Sequence, residues 1–310
     1  MGIEINRRGF LKQATLSMLA LHVGSHSRLL ARSGNSADGE LAAIRAQLLA
    51  LVNQERAQLG LTTLKLDRLG CDTAQAHAIE MAENNFLSHW GLDGRKPYHR
   101  YAFAGGTDAT QENDSASDYY APMTSAEIAE APIRMHKSMH NEVPPDDGHR
   151  KAMLAPQNTH AGFGVAVSGF HVRLCEIYVA RYVSIDPYPM MRRPQSRFLF
   201  TGRVLDPRYS IEGIDVHYEP LPSPPDRRWL QIPRPYSLPE NPVSLYPKLP
   251  ANRVYEDGSA GEIEFPSPGS FRAPIDLSRK QPGVYTIVVW IQRGENAEPF
   301  QVTHVCVRAE

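Results

Sequence analysis

The sequence predicts an α+β chain in two parts, an α-β-α region followed by an all-β sandwich. Three observations predict it. Apolar residues recur at helical spacing in segments up to about residue 140. Two alternating runs then meet at Ser168-Gly169. After about residue 184 the helical period gives way to short β-rich runs separated by Pro and Gly.

With 310 residues the chain is long enough for two domains, and 33 Lys and Arg against 34 Asp and Glu leave it almost neutral. There is no basic excess to track a phosphate backbone, so no nucleic-acid partner is expected. No stretch reaches the ~20 apolar residues of a membrane span, and none is expected in the mature protein. The three cysteines, Cys71, Cys175 and Cys306, show no C-x-x-C spacing. That argues against a thiolate zinc knuckle or a thioredoxin-like motif. One disulfide is allowed, and the sequence does not choose the pair.

Residues 1–37 read as an export signal and flexible leader. Arg7-Arg8 precede Phe-Leu-Lys, an apolar run "ATLSMLALHVG" follows, and small and polar residues come after it, with cleavage expected between about residues 24 and 37. The paired arginines resemble a bacterial twin-arginine signal, which places the mature protein in the periplasm or outside the cell.

The mature chain then divides into 38–183, a Pro-rich linker at 184–196, and a β domain at 197–310. Leu41, Ile44, Leu48, Leu51 and Val52 predict a helix over 40–58 that stops near Gly60. Ala74, Ala78, Met81, Ala82 and Phe86 predict a second helix, 71–86, whose small residues suit close packing. A third is expected from Ser125 toward His140 with Ile128 and Met135 inward, Pro132 kinking it or marking its start. "HAGFGVAV" and "HVRLCEIYVARYV" form a hairpin. "DPYPMMRRP" has linker composition. Beyond it "RFLFTGRV", "GIDVHYE", "GEIEF", "RAPIDL", "GVYTIVVWIQ" and "FQVTHVCVR" are the expected strands of an Ig-like sandwich. His217 and His304 stand alone in such strands and read as packing or surface residues, and the domain reads as a binding or spacer module.

Two histidine patterns compete for chemistry. His136 and His140 lie four apart on one helix face, as in zinc proteases, but Lys137 stands where the general-base glutamate belongs. A solvated helix face is the reading for that pair. The other set is dispersed: His89 in "FLSHW", Glu112 in "QEND", and Glu142 and His149 in "HNEVPPDDGHR". Each alone has a plain structural role. There is no Gly-x-Ser-x-Gly elbow for a serine hydrolase.

Taken in order, "LVNQERAQLGLTTLKLD", "AQAHAIEMAENNFLSHW", "QEN", "GHRKAML" and "HAGFGVAV" resemble the CAP superfamily of cysteine-rich secretory, antigen 5 and pathogenesis-related 1 proteins, over about residues 41–183. The resemblance implies an α-β-α sandwich with a central cleft lined by a tetrad, His89, Glu112, Glu142 and His149. It implies that His89 and His149 are metal ligands, with Glu112 and Glu142 supporting, for zinc or another divalent cation. Pro144 and Pro145 would stop the helix after Glu142, and Gly148 would let His149 turn back into the cleft. Gln111 replaces a family glycine, Asp114 an apolar residue, Met139 a tryptophan and Ala152 an asparagine. The functional expectation is an exported binding protein for an extracytoplasmic small molecule, lipid, peptide or glycan, with no catalytic residue assigned. A metal-dependent, peptidase-like hydrolase and a lipid- or sterol-binding module are the alternatives.

Overall fold

The computed structural model describes residues 35–279, 281–294 and 297–310. The twin-arginine segment and its apolar run lie outside the described residues.

The first part consists of α1 (Asn35–Gln58), β1 (Lys65–Leu66), α2 (Arg68–Asn84), α3 (Pro97–Phe103), β2 (Ala109–Asp118), α4 (Ser125–His140), α5 (Gly148–Leu154), β3 (His160–Ser168) and β4 (His171–Ala180). Its sheet runs β1-β3-β4-β2, so β2 is an edge strand. Strands β2 and β3 both run antiparallel to β4, and the short β1 runs parallel to β3.

The strand alternation builds an α-β-α sandwich. Phe163, Val165, Leu174 and Tyr178 face α1 and α4 in one core, while Ala166, Cys175, Ile177 and Val179 face α2 in another. The glycines of "HAGFGVAV" make the second contact close. A Cβ on Gly162 or Gly164 would fall 2.2 Å from the α2 backbone, at Gly70 and Ala74. Gln75 crosses this contact, its side-chain amide donating to Val165 O and accepting from Val165 N.

The helix ends follow local chemistry. Asp67 caps α2 by accepting from Gly70 N, and Asn85 ends it in the left-handed region at φ 49°. Thr124 and Glu127 form a capping box on α4. Since α4 begins at Ser125, Pro132 is not its start; it lies inside the helix, buried. The helices α3 and α5, each of seven residues, are too short to show an apolar period in the sequence.

The second part holds β5 (Val183–Ile185), β6 (Met191–Arg192), β7 (Arg197–Val204), β8 (Ser210–Pro220), the helical turn α6 (Arg227–Leu230), β9 (Val243–Leu245), β10 (Ser270–Asp276), β11 (Gly283–Gln292), β12 (Phe300–Gln301) and β13 (Val305–Ala309). A sheet ordered β10-β7-β5 packs on one ordered β6-β13-β11-β8-β9, with Phe200, Phe271, Ile214 and Ile287 between them. This is the two-sheet sandwich expected. "GEIEF" contributes only isolated bridges through Ile263 and Glu264. The last run breaks over residues 302–304, between β12 and β13. Parts of the Pro-rich stretch are strands of the sandwich: β5 pairs with β7 and β6 with β13. All three cysteines are buried and free, so no disulfide forms.

The two parts share contacts. Asp108 bridges Thr303 in antiparallel fashion, Ala109 N donates to Val302 O, and His304 N donates to Thr107 O. Glu219 of β8 receives Lys96 Nζ at 2.8 Å and the Tyr98 hydroxyl at 2.7 Å. Tyr98 and Ala102 pack with Val284 and Cys306. The β domain is thus seated on the end of β2, beside the cleft.

Candidate functional site

Strand β2 positions the first half of the site. Its alternation sends Glu112 and Asp114 to the α2 face and Asn113 to the opposite face. Glu112 is buried, and His89 Nδ1 lies 3.1 Å from its Oε1. Arg100, from α3, donates to Glu112 Oε2 at 2.5 Å. Burial opposes the charge on Glu112, but Arg100 and then His89 hold it well below the usual carboxylate range. His89 Nδ1 is also 3.0 Å from Asp114 Oδ2, yet that approach lacks hydrogen-bond alignment, and both Asp114 oxygens are buried without a partner. Burial and the neighbouring Glu112 charge push the Asp114 carboxyl up. Burial opposes the His89 charge, but Asp114 and Glu112 outweigh it and raise its pKa to about 9.

The second half follows α4. The helix ends at His140, and Glu142 sits just beyond its Asn141 cap. Gly148 opens α5, with His149 next. His149 Nδ1 is 2.5 Å from Glu142 Oε1, and its backbone N donates to Glu142 Oε2 at 3.1 Å. Asn113 Nδ2 donates to His149 O, tying this half to β2.

The structure therefore places the four tetrad residues as two His-Glu pairs, and all four line one cavity of about 940 Å³. That cavity lies at the seam between the two parts. Tyr236, Trp290, Phe300 and His304 of the β domain line it as well. Tyr236 lays its ring edge-on against His89 at 4.8 Å, and its hydroxyl accepts from Glu112 N at 2.8 Å. His304 Nδ1 accepts from Thr110 N at 3.2 Å, and burial pushes that imidazole down to about 3. His304, expected as a packing or surface residue, is buried at the seam, between β12 and β13 rather than within a strand.

The solvated-face reading of His136 and His140 is also corrected. His136 is fully buried, with Nδ1 2.6 Å from Glu176 and Nε2 2.9 Å from Glu55. His140 Nδ1 stands 3.6 Å from Glu55. Both nitrogens of His136 are taken by carboxylates, and no lone pair is left for a metal. The helical spacing shows which side the pair shares, but not that acids from α1 and β4 meet it there.

The residues present test the metal expectation. Among the described residues, His77, Glu112 and Asp114 bring ligand atoms within 4.8 Å of one another. They do not suit an ion. His77 Nε2 faces Ser88 O at 2.8 Å and so carries the proton, Nδ1 faces Glu80, and Glu112 already has Arg100 as its cation. Among the described residues, neither His89 nor His149 belongs to a group of three ligand atoms within 4.8 Å of one another, but each holds Nδ1 against a carboxylate. Ligating histidines are commonly oriented in this way. Arg100, His77 and Tyr236 were not singled out in the sequence. Arg100 lies on a short helix without apolar period, and Tyr236 is distant in sequence and domain, so no spacing links them to the tetrad.

A model of the cysteine-rich secretory protein family, CAP, matches residues 49–182. The uncharacterized protein YkwD of Bacillus subtilis (strain 168) is 26% identical over 134 residues, 43% of this chain and 47% of its own length. The chain thus spans about half the length of the curated relative it matches. Among solved structures, an extracellular protein containing a SCP domain from Bacillus anthracis str. Ames aligns at 21% identity and TM-score 0.35, over 48% of this chain and 45% of that one. An outer surface protein from Borrelia burgdorferi aligns at 16% identity and TM-score 0.35, over 46% of this chain and 93% of that one.

Proposed function

We propose that this chain, a member of the CAP superfamily through its residues 49–182, is an exported binding protein whose ligand cleft is completed by its β domain. The observation that carries this reading is the seam cavity of about 940 Å³, into which both His-Glu pairs and side chains of the β domain converge. Concave sites between domains are common places for ligands. Export rests on the Arg7-Arg8 leader, and no helix among the described residues is long and apolar enough to cross a membrane.

The same cleft is proposed to hold a divalent ion such as zinc through His89 and His149, with Glu112 and Glu142 fixing the rings. A bound ion would polarise a ligand oxygen. Binding is the function proposed, and no catalytic role is assigned to the cleft residues.

Calorimetric titration of the full chain with zinc tests the reading. One ion per chain is expected, with most of the affinity lost in His149→Ala and a smaller loss in Glu142→Gln. Affinity should fall as pH falls, because a proton on His89, whose pKa is about 9, competes with the ion. Equal affinity in wild type and His149→Ala would remove the metal from the cleft.

A further inference from the structure

The β domain turns one face of its larger sheet toward the seam cavity. Val289 and Ile291 of β11 point into the sandwich core, so Trp290 between them lies on the opposite face. Gln301 of β12 is its cross-strand partner and shares that face. Both residues line the cavity, and both are half-buried. The Trp290 Nε1 already donates to Asp215 Oδ2 at 2.8 Å. That bond fixes the indole, and what the ring still offers a ligand is apolar surface. A fixed, partly exposed indole on a cavity wall is a stacking platform.

The CAP domain lines the same cavity with neutral hydrogen-bonding groups. Gln111 of β2 is exposed, and Gln157, in the turn between α5 and β3, is half-buried. With Gln301 they bring three side-chain amides to one space. Each amide carries both donors and an acceptor, which matches a hydroxyl that donates and accepts at once. The charges of the lining are instead largely matched within the protein. Glu112 has Arg100 and His89, and Glu142 has His149. Among the described residues that line the cavity, Arg234 is the sole arginine or lysine, and its guanidinium lies over the Trp229 ring at 3.9 Å. An anionic ligand would also meet the exposed carboxylate of Asp146. An acyl chain would strip water from the amides without replacing its hydrogen bonds, which is unfavourable.

We infer that the ligand of the seam cleft is a neutral oligosaccharide, with a sugar ring stacked on Trp290 and its hydroxyls held by Gln111, Gln157 and Gln301. A pyranose has the two surfaces that such a lining asks for, a C–H-rich face and a rim of hydroxyls. Trp290 and Gln301 come from the β domain and the other two amides from the CAP domain, so neither domain alone holds the whole site. The cavity of about 940 Å³ falls within the usual size of a ligand cleft, roughly 300–1,000 Å³. This inference rests on the reading of the seam cavity as the ligand cleft, and it needs no metal.

The test applies the labelled full chain to an array of immobilised oligosaccharides. Neutral members built of glucose, galactose, mannose and N-acetylglucosamine stand beside sulfated and sialylated counterparts. Binding to neutral members in preference to the anionic ones is expected. For the strongest neutral member, calorimetry should show affinity falling about tenfold or more in Trp290→Ala, the usual cost of truncating an aromatic anchor. Should that variant fail to fold, the Gln111→Ala, Gln157→Ala double variant carries the test, because neither side chain belongs to the buried core. Its affinity should fall about tenfold, roughly the worth of two hydrogen bonds. No neutral member bound, a preference for anionic members, or unchanged affinity in these variants overturns the inference. Zinc titration of the same protein separates the two readings. Zinc bound through His149 with no saccharide bound leaves the cleft in place and removes only its glycan, whereas binding of neither removes both.

Discussion

His136 Nδ1 stands 2.6 Å from a carboxylate oxygen of Glu176, both side chains fully buried, while Glu55 closes the other ring nitrogen at 2.9 Å. The Tyr178 hydroxyl donates to the second oxygen of Glu176. One imidazole therefore ties α4 to α1 and to β4. Removing it would leave two buried acids facing each other. His136→Ala should cost about 3–5 kcal/mol, the usual penalty for breaking a buried ion pair from one side. Denaturant unfolding reads this directly, and a loss below about 1 kcal/mol would mean that the cluster holds little of the fold.

The same histidine sets a pH dependence. Burial opposes its charge, but Glu176 and then Glu55 raise its pKa to about 10. Because the folded pKa lies above the unfolded value of ~6.5, the His136 contribution is full below about pH 6.5. It declines as pH rises toward about 10. Unfolding free energy measured from pH 6 to pH 10 should fall more steeply in wild type than in His136→Ala. Parallel profiles would show that the ring is not charged in the folded protein.

Close approach of α2 to the sheet depends on Gly164. A Cβ there would stand 2.2 Å from the Ala74 carbonyl carbon, which is backbone and cannot rotate away. Gly164→Ala should destabilise by roughly 3 kcal/mol or more through overpacking. Gly148→Ala, where a Cβ meets nothing within 4 Å, is the control and should change stability little. Similar melting temperatures for the two variants would contradict the close contact.

Limited proteolysis addresses how the two parts hold together. The sequence suggests a stable fragment of about residues 40–183, released by a cut in the Pro-rich stretch. The seam alters that expectation: β5 and β6 anchor the stretch, and Glu219 and the Val302–His304 segment join the β domain to α3 and β2. A nick within residues 186–190 should leave both halves co-eluting under native conditions. Elution of a separate N-terminal half would show that the seam is weak.

Much of the fold was legible because it depends on local period. Leu41, Ile44 and Leu48 announce α1, and the alternation around Gly169 announces the hairpin β3–β4. The meeting of Glu142 with His149 came from the family resemblance, which brings both to one cleft, and the structure sets His149 Nδ1 2.5 Å from Glu142. What was not readable depends on distant partners. His136 reads as solvated because nothing near it in sequence names Glu55 and Glu176. Asp114 reads as a simple departure from pattern, although it lies 3.0 Å from His89. Tyr236 reaches Glu112 across 124 residues, and no periodicity spans that distance.

The central claim is that both histidines of the seam cavity address one ligand-binding space. The most direct measurement is a crystal structure of the zinc-soaked full chain, with the ion located by its anomalous signal. The expected result is a single zinc on the Nε2 atoms of His89 and His149, within the cavity that Tyr236 and Trp290 help to line. Zinc on His77, Glu112 and Asp114 instead, zinc on only one of the two histidines, or an empty cavity at saturating zinc would contradict it.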